Sequence, residues 1–95
     1  MAAYILVDSE VIDPVLYQRY RELTPAAIAR YGGRFLVRGG ETQVLEGNWQ
    51  PHRVIVLEFP SMEAVRTFYD SPEYREARDV RKDAANMSMI AVAGV

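Results

Sequence analysis

The 95-residue sequence has no cysteine, one histidine (His52) and one tryptophan (Trp49). Without thiols the chain makes no disulfide, no thiolate nucleophile and no thiolate metal site. A single histidine falls short of the ligand sets that usually hold a transition metal or a haem, so neither metal nor cofactor is expected. Positive charge is scarce as well. Lys82 is the only lysine among eleven basic residues, and thirteen acidic residues bring the formal net charge to −2. Such a chain offers no overall positive field to a polyphosphate or an anionic bilayer, which argues against nucleic acid and membrane as partners. Long hydrophobic runs are also missing. Met1-Ala2-Ala3-Tyr4-Ile5-Leu6-Val7 has no basic region before it and soon meets Asp8 and Glu10, unlike an export signal or a membrane span. A cytoplasmic setting is therefore expected.

What remains is an ordinary globular balance, 49% apolar and 25% charged, with no internal repeat and no linker long enough to divide domains. Residues 1–95 read as one domain. Tyr4 to Ile12 reads as a strand stopped by Asp13-Pro14, a pair that caps and opens a helix. Leu16, Tyr20, Leu23, Ala27 and Tyr31 recur at helical spacing and predict its packed stripe. Thr24-Pro25 predicts a kink or a restart with Thr24 as a second cap, and Gly32-Gly33 ends the helix. Arg34–Arg38 and Thr42–Glu46 read as one long strand, bent or bulged at Gly39-Gly40. Gly47-Asn48-Trp49-Gln50-Pro51 has loop punctuation, and His52–Phe59 is the third strand. Ser61 caps a helix whose Val65, Phe68 and Tyr69 share a face, and Ser71-Pro72 starts a second helical piece with the stripe Tyr74, Ala77, Arg81 and Ala84. Met87–Val95 is the last strand.

The order βαββαβ predicts an α+β, ferredoxin-like fold with a four-stranded antiparallel sheet and two helices on one face. A sheet half open to water alternates apolar with polar residues. Here Tyr4-Ile5-Leu6-Val7, Val54-Ile55-Val56-Leu57 and Met89-Ile90-Ala91-Val92-Ala93 are apolar at both parities, so the face away from the helices needs a cover. The economical cover is a second copy related by a two-fold axis, that is, a homodimer.

Asp13-Pro14, Tyr17, Gly32-Gly33, Arg38-Gly39-Gly40, Glu46-Gly47, Trp49, Arg53, Glu58-Phe59-Pro60-Ser61, Phe68-Tyr69, Ser71-Pro72-Glu73-Tyr74 and Arg81 together resemble domain-of-unknown-function family 1330. The resemblance spans essentially the whole chain and implies a dimeric α/β barrel. That superfamily also houses cofactor-free monooxygenases, small-lactone isomerases and haem-dependent enzymes. The family has no established activity, so the resemblance supplies no catalytic residues.

Candidate site residues come instead from chemistry. Arg81 falls on the stripe that faces the sheet, where a guanidinium needs either a salt bridge to Asp8, Glu46 or Glu58 or an anionic ligand. Arg38 and Arg53, on strands two and three, pose the same alternative. Tyr17, Tyr20, Tyr69 and Tyr74 bring phenols to the helical side, and a mostly apolar cleft with a few converging polar groups is the usual make-up of a small-molecule site. In such a cleft Arg81 or Arg38 orients an anion, Arg53, Tyr17 and Tyr74 add binding contacts, and Glu46 or Asp8 moves a proton, with Tyr69 or Tyr74 against a ring. His52 is a lesser candidate for general base. A lone Arg38-Gly39-Gly40 triplet is not an RNA-binding signature, and Gly32-Gly33 lacks a dinucleotide-binding context. The expected function is binding or transformation of a small carboxylated or aromatic metabolite without metal or organic cofactor. The alternative is a non-catalytic dimeric module that binds a ligand or a protein.

Overall fold

The Asp13 carboxylate accepts hydrogen bonds from the amides of Val15 and Leu16, both at 3.1 Å. Pro14 fills the first helical position, where a missing N–H is harmless. In the computed structural model, which describes residues 1–95, this cap separates strand β1 (Ala3–Val11) from helix α1 (Pro14–Arg30). Strands β2 (Arg34–Arg38) and β3 (Val54–Phe59) follow, then helices α2 (Met62–Tyr69) and α3 (Pro72–Arg81) and strand β4 (Ala85–Ala93). The Ser61 hydroxyl accepts from the Ala64 amide at 3.0 Å and so caps α2. Ser71 does double duty between the helices. Its hydroxyl donates to the Phe68 carbonyl at 2.6 Å and accepts from the Tyr74 amide at 3.1 Å, so the end of α2 is also the start of α3. No helix is long and apolar enough to cross a membrane.

The strands form one antiparallel sheet in the order β2-β3-β1-β4, the ferredoxin-like arrangement that the element order predicts. Register then sorts side chains between two faces. Ile5 lies between Leu57 and Ala91, and Ala3 and Val7 follow it to the helical side. There they pack with Phe59, Phe68, Tyr74 and Ala77, each 2% exposed or less. Leu6 lies between Val56 and Ile90 and points the other way. No helix covers that second face. The Cα extents of 35 × 32 × 16 Å are those of two layers, one sheet and one tier of helices.

Two local expectations are corrected. Thr42–Glu46 is not a strand: the backbone between β2 and β3 is irregular, and residues 41–50 are all exposed. β2 is the sheet edge and β3 occupies its one paired side, so residues 42–46 have no partner despite their β-branched character. The chain leaves the sheet at Gly39, whose amide bonds the Val54 carbonyl at 2.8 Å and whose φ of +76° suits glycine. The irregularity within β2 comes earlier, between Phe35 and Val37.

Helix α1 is likewise one continuous helix with Pro25 inside it, not a pair of capped pieces. Thr24 is buried within it. Its buried positions are Tyr17, Tyr20, Thr24, Ala27 and Ile28, a stripe turned toward the sheet by about one residue from the expected one.

Candidate functional site

The rotated stripe of α1 opens a cavity between helices and sheet. Tyr17, Tyr20, Thr24 and Ile28 form one wall, Phe68 and Tyr74 the roof, and Val7, Ile55, Leu57, Met87 and Met89 the floor. Phe35 and three arginines, Arg21, Arg38 and Arg53, complete the lining. The space open to the centres of water-sized molecules is about 40 Å³, and eleven of the fifteen lining residues are hydrophobic. The remainder are the three arginines and Thr24, so all the charge is of one sign.

The arginines interlock through backbone carbonyls. Arg38 Nη2 donates to the Arg21 carbonyl at 3.3 Å, and Arg53 Nη2 donates to the Arg38 carbonyl at 3.4 Å. Pro25 explains the first contact. In a helix the Arg21 carbonyl would receive the amide four residues on, and Pro25 has none, so the carbonyl is left for Arg38. The Arg53 guanidinium packs over Gly39, in space that a Cβ at that position would share. Arg38 also lies over the Phe35 ring, 4.3 Å from its centroid. None of the three arginines forms an ion pair. The buried Nε atoms of Arg21 and Arg53 have no hydrogen-bond partner. Burial first, and then the Arg21 and Arg53 charges, hold the Arg38 guanidinium below its ordinary pKa.

Deeper in, the phenols are tied to one another. Tyr20 and Tyr74 share a hydrogen bond of 2.7 Å, and the Ser9 hydroxyl donates to the Tyr17 oxygen at 3.2 Å. Ser9 is fully buried. This leaves the Tyr17 proton without a protein acceptor. Burial, reinforced by the Tyr74 phenol, pushes the Tyr20 pKa well above the ordinary tyrosine range, and burial raises Tyr74 as well. Both remain neutral at physiological pH. Guanidiniums and neutral phenols make the cavity a hydrogen-bond donor environment without a carboxylate or imidazole as general base.

Of the residues singled out in the sequence, Arg38, Arg53, Tyr17, Tyr20 and Tyr74 converge on this cavity. Arg81 lies just behind it. It is half-buried, makes no salt bridge to Asp8, Glu46 or Glu58, and donates to the Met87 sulfur at 3.0 Å. Tyr69 packs 5.7 Å from Tyr74 with the Arg78 guanidinium 4.2 Å from its own ring centroid, outside the cavity lining. Asp8 and Glu46 are elsewhere. The Asp8 carboxylate is on the opposite sheet face, accepting from the His52 amide at 2.8 Å and the Trp49 indole at 3.4 Å. The His52 contact leads in holding its carboxyl below the usual aspartate range. Glu46 is exposed in the loop that follows β2. His52 sits with its Nδ1 3.6 Å from Asp8 and its Nε2 3.4 Å from Glu10, also on the outer face. The residue missed was Arg21, although Tyr17, Arg21, Thr24 and Ile28 stand at spacings of four, three and four.

Pro25→Ala supplies the missing amide to the Arg21 carbonyl. Proline inside a helix costs about 3 kcal/mol relative to alanine, partly offset by about 0.4–1 kcal/mol of restricted unfolded chain. Pro25→Ala is therefore expected to gain about 2 kcal/mol in urea unfolding while releasing Arg38. An unchanged or lower stability would contradict this account of Pro25.

The whole chain resembles solved structures of the same fold. A protein of unknown function from Rhodopseudomonas palustris superposes with a TM-score of 0.76 at 22% identity, over 99% of this chain and 82% of that one. A dimeric ferredoxin-like protein of unknown function from Jannaschia sp. CCS1 gives 0.70 at 13% identity, over 99% and 100%. SnoaB of Streptomyces nogalater, a cofactor-independent oxygenase, gives 0.67 at 13% identity, over 99% and 93%. At these identities the likeness establishes the fold alone. No curated protein matches the sequence. The model of the family described as Domain of unknown function (DUF1330) matches residues 2–95, and the chain belongs to that family.

Proposed function

We propose that this chain is a homodimeric small-molecule protein that takes a small carboxylated or aromatic compound between sheet and helices, using its own side chains. The observation that carries the reading is the cavity itself, apolar and phenol-lined inside with unpaired guanidiniums at its edge. Pockets of this composition bind small molecules by burying an apolar body and fixing it with a few polar groups. No group of three or more histidine, aspartate or glutamate side chains converges to hold a metal ion. The donors in the cavity favour negative charge on the occupant, whether already present or developing on an oxygen during a reaction. The related fold of the Streptomyces oxygenase, which works without a cofactor, is compatible with turnover in such a space. Dimerisation is supported by the uncovered apolar sheet face and by the dimeric Jannaschia protein of the same fold.

The methionines provide the test. Met87 and Met89 line the cavity, whereas Met1 and Met62 lie outside it. In protein carrying 13C-labelled methionine methyl groups, a screen of small acids and phenols is expected to find compounds that shift Met87 and Met89 and leave Met1 and Met62 in place. If no compound moves the cavity methyls selectively, the reading fails.

A further inference from the structure

Resting on the small-molecule reading above, we infer that the Arg21–Arg38–Arg53 cluster is a carboxylate-binding rim, so that the ligand is a small monocarboxylic acid held head outward with its apolar body in the cavity. Arg21 belongs to α1, Arg38 to the end of β2, and Arg53 lies one residue before β3. Three segments thus bring three like charges together, and no acidic side chain of the chain pairs with any of them. Like charges at an apolar mouth repel and are partly stripped of water, which is unfavourable unless an anion sits among them.

The placement is also maintained by specific local features. Pro25 leaves the Arg21 carbonyl for Arg38, and Gly39 leaves space for the Arg53 guanidinium. The carbonyls engage Nη2 of Arg38 and of Arg53, while the buried Nε atoms of Arg21 and Arg53 stay without partners. Guanidinium edges bind carboxylates through paired N–H donors.

The cavity behind the rim decides what carries the carboxylate. An ordered water needs about 10–15 Å³ of such space, so 40 Å³ encloses a body of about three or four non-hydrogen atoms. Its floor includes Met87 and Met89, side chains that adapt to irregular shapes. A short-chain acid fits without rearrangement, and the inner donors, among them the Tyr17 hydroxyl, remain available to a second polar atom on the ligand. Inorganic phosphate would satisfy the rim but leave the apolar space unused.

The test compares isosteres that differ only in charge. Sodium butyrate, titrated into methionine-methyl-labelled protein, is expected to shift Met87 and Met89, with butyramide and inorganic phosphate each binding at least tenfold more weakly. Arg21→Gln and Arg53→Gln should each weaken butyrate about tenfold or more, as expected for loss of a charge-assisted hydrogen bond. Arg66→Gln, at an exposed position on α2, should change it less than twofold. A variant is compared only if its ligand-free methyl spectrum matches the parent, and Arg38→Gln is the substitute where one does not. If butyramide binds as tightly as butyrate, or the arginine variants bind butyrate unchanged, the carboxylate rim is wrong while the cavity reading stands. Tighter binding of phosphate than of butyrate also overturns it. If neither butyrate nor any compound of the wider screen of small acids and phenols moves Met87 and Met89, both readings fall.

Discussion

Phe68→Ala will remove about 3–5 kcal/mol of folding stability, about half of what a small domain has to lose. The ring is 1% exposed and stands at the centre of the aromatic packing. Its centroid is 4.5 Å from Tyr74, 5.0 Å from Phe59 and 6.5 Å from Tyr31. Deleting it forfeits both burial and edge or offset ring contacts, and the main-chain junction it borders, the Ser71 hydroxyl on the Phe68 carbonyl, is too short a span to collapse into the space. In urea, with a slope of about 1.5 kcal/mol per molar, the midpoint should fall by about 2–3 M, measured at one protein concentration because assembly also stabilises. Phe68→Leu, which keeps most of the volume, should cost less than about 1.5 kcal/mol. A loss below that figure for alanine would mean that the roof of the cavity is not rigid.

This aromatic centre was legible in the sequence because its signals are local and redundant. Asp13-Pro14, Ser61 and Ser71-Pro72 each announce a helix start by their own chemistry, and each is a cap in the fold. The spacing of Val65 and Phe68, and of Tyr74 and Ala77, then fixes which face is buried. The loop after β2 was illegible for the opposite reason. Val44 and Leu45 suit a strand, and only the sheet order shows that no neighbour is there to pair with them. Arg21 was illegible because a charged residue on a helix usually faces water, and hydrophobic spacing centred on Leu16 and Leu23 placed the buried stripe slightly to one side. The cavity is built from the polar flank of that stripe. Asp8 and Glu46 were grouped with the arginines by charge, but strand alternation sends Asp8 to the face opposite Val7, and the chain's exit at Gly39 carries Glu46 away from the sheet.

Leu6→Asp will separate the proposed dimer into monomers. The solvent-accessible surface of one chain is 6201 Å², against about 5,500 Å² for a compact monomer of its mass. Part of the exposed apolar surface lies on the sheet face that no helix covers, at Ile90 and Val92. Leu6 sits mid-row between Val56 and Ile90, with Ile90 63% exposed. The row is bounded by the Arg34–Glu58 pair at one end and by Asp8, Glu10 and His52 at the other. An apolar centre with polar ends is the layout of a protein interface. A two-fold axis through this face puts each substitution in the seam twice. Each copy then loses about 1.5–3 kcal/mol of leucine burial and buries a carboxylate at a further cost of several kcal/mol, so the dissociation constant should rise by about 10³-fold or more. Sedimentation equilibrium at micromolar concentration should show two chains of 10.8 kDa each for the parent and one for the variant, with far-ultraviolet dichroism unchanged. A parent already at the single-chain mass would refute the dimer. The same face also touches the cavity indirectly, because Asp8 holds the His52 amide and the next residue sends its guanidinium through to the rim. Breaking the seam should therefore red-shift Trp49 emission, since the indole rests on Asp8, and should loosen Arg53 along with it. Monomeric Leu6→Asp is expected to bind butyrate more weakly than the parent, although Leu6 is not part of the cavity wall.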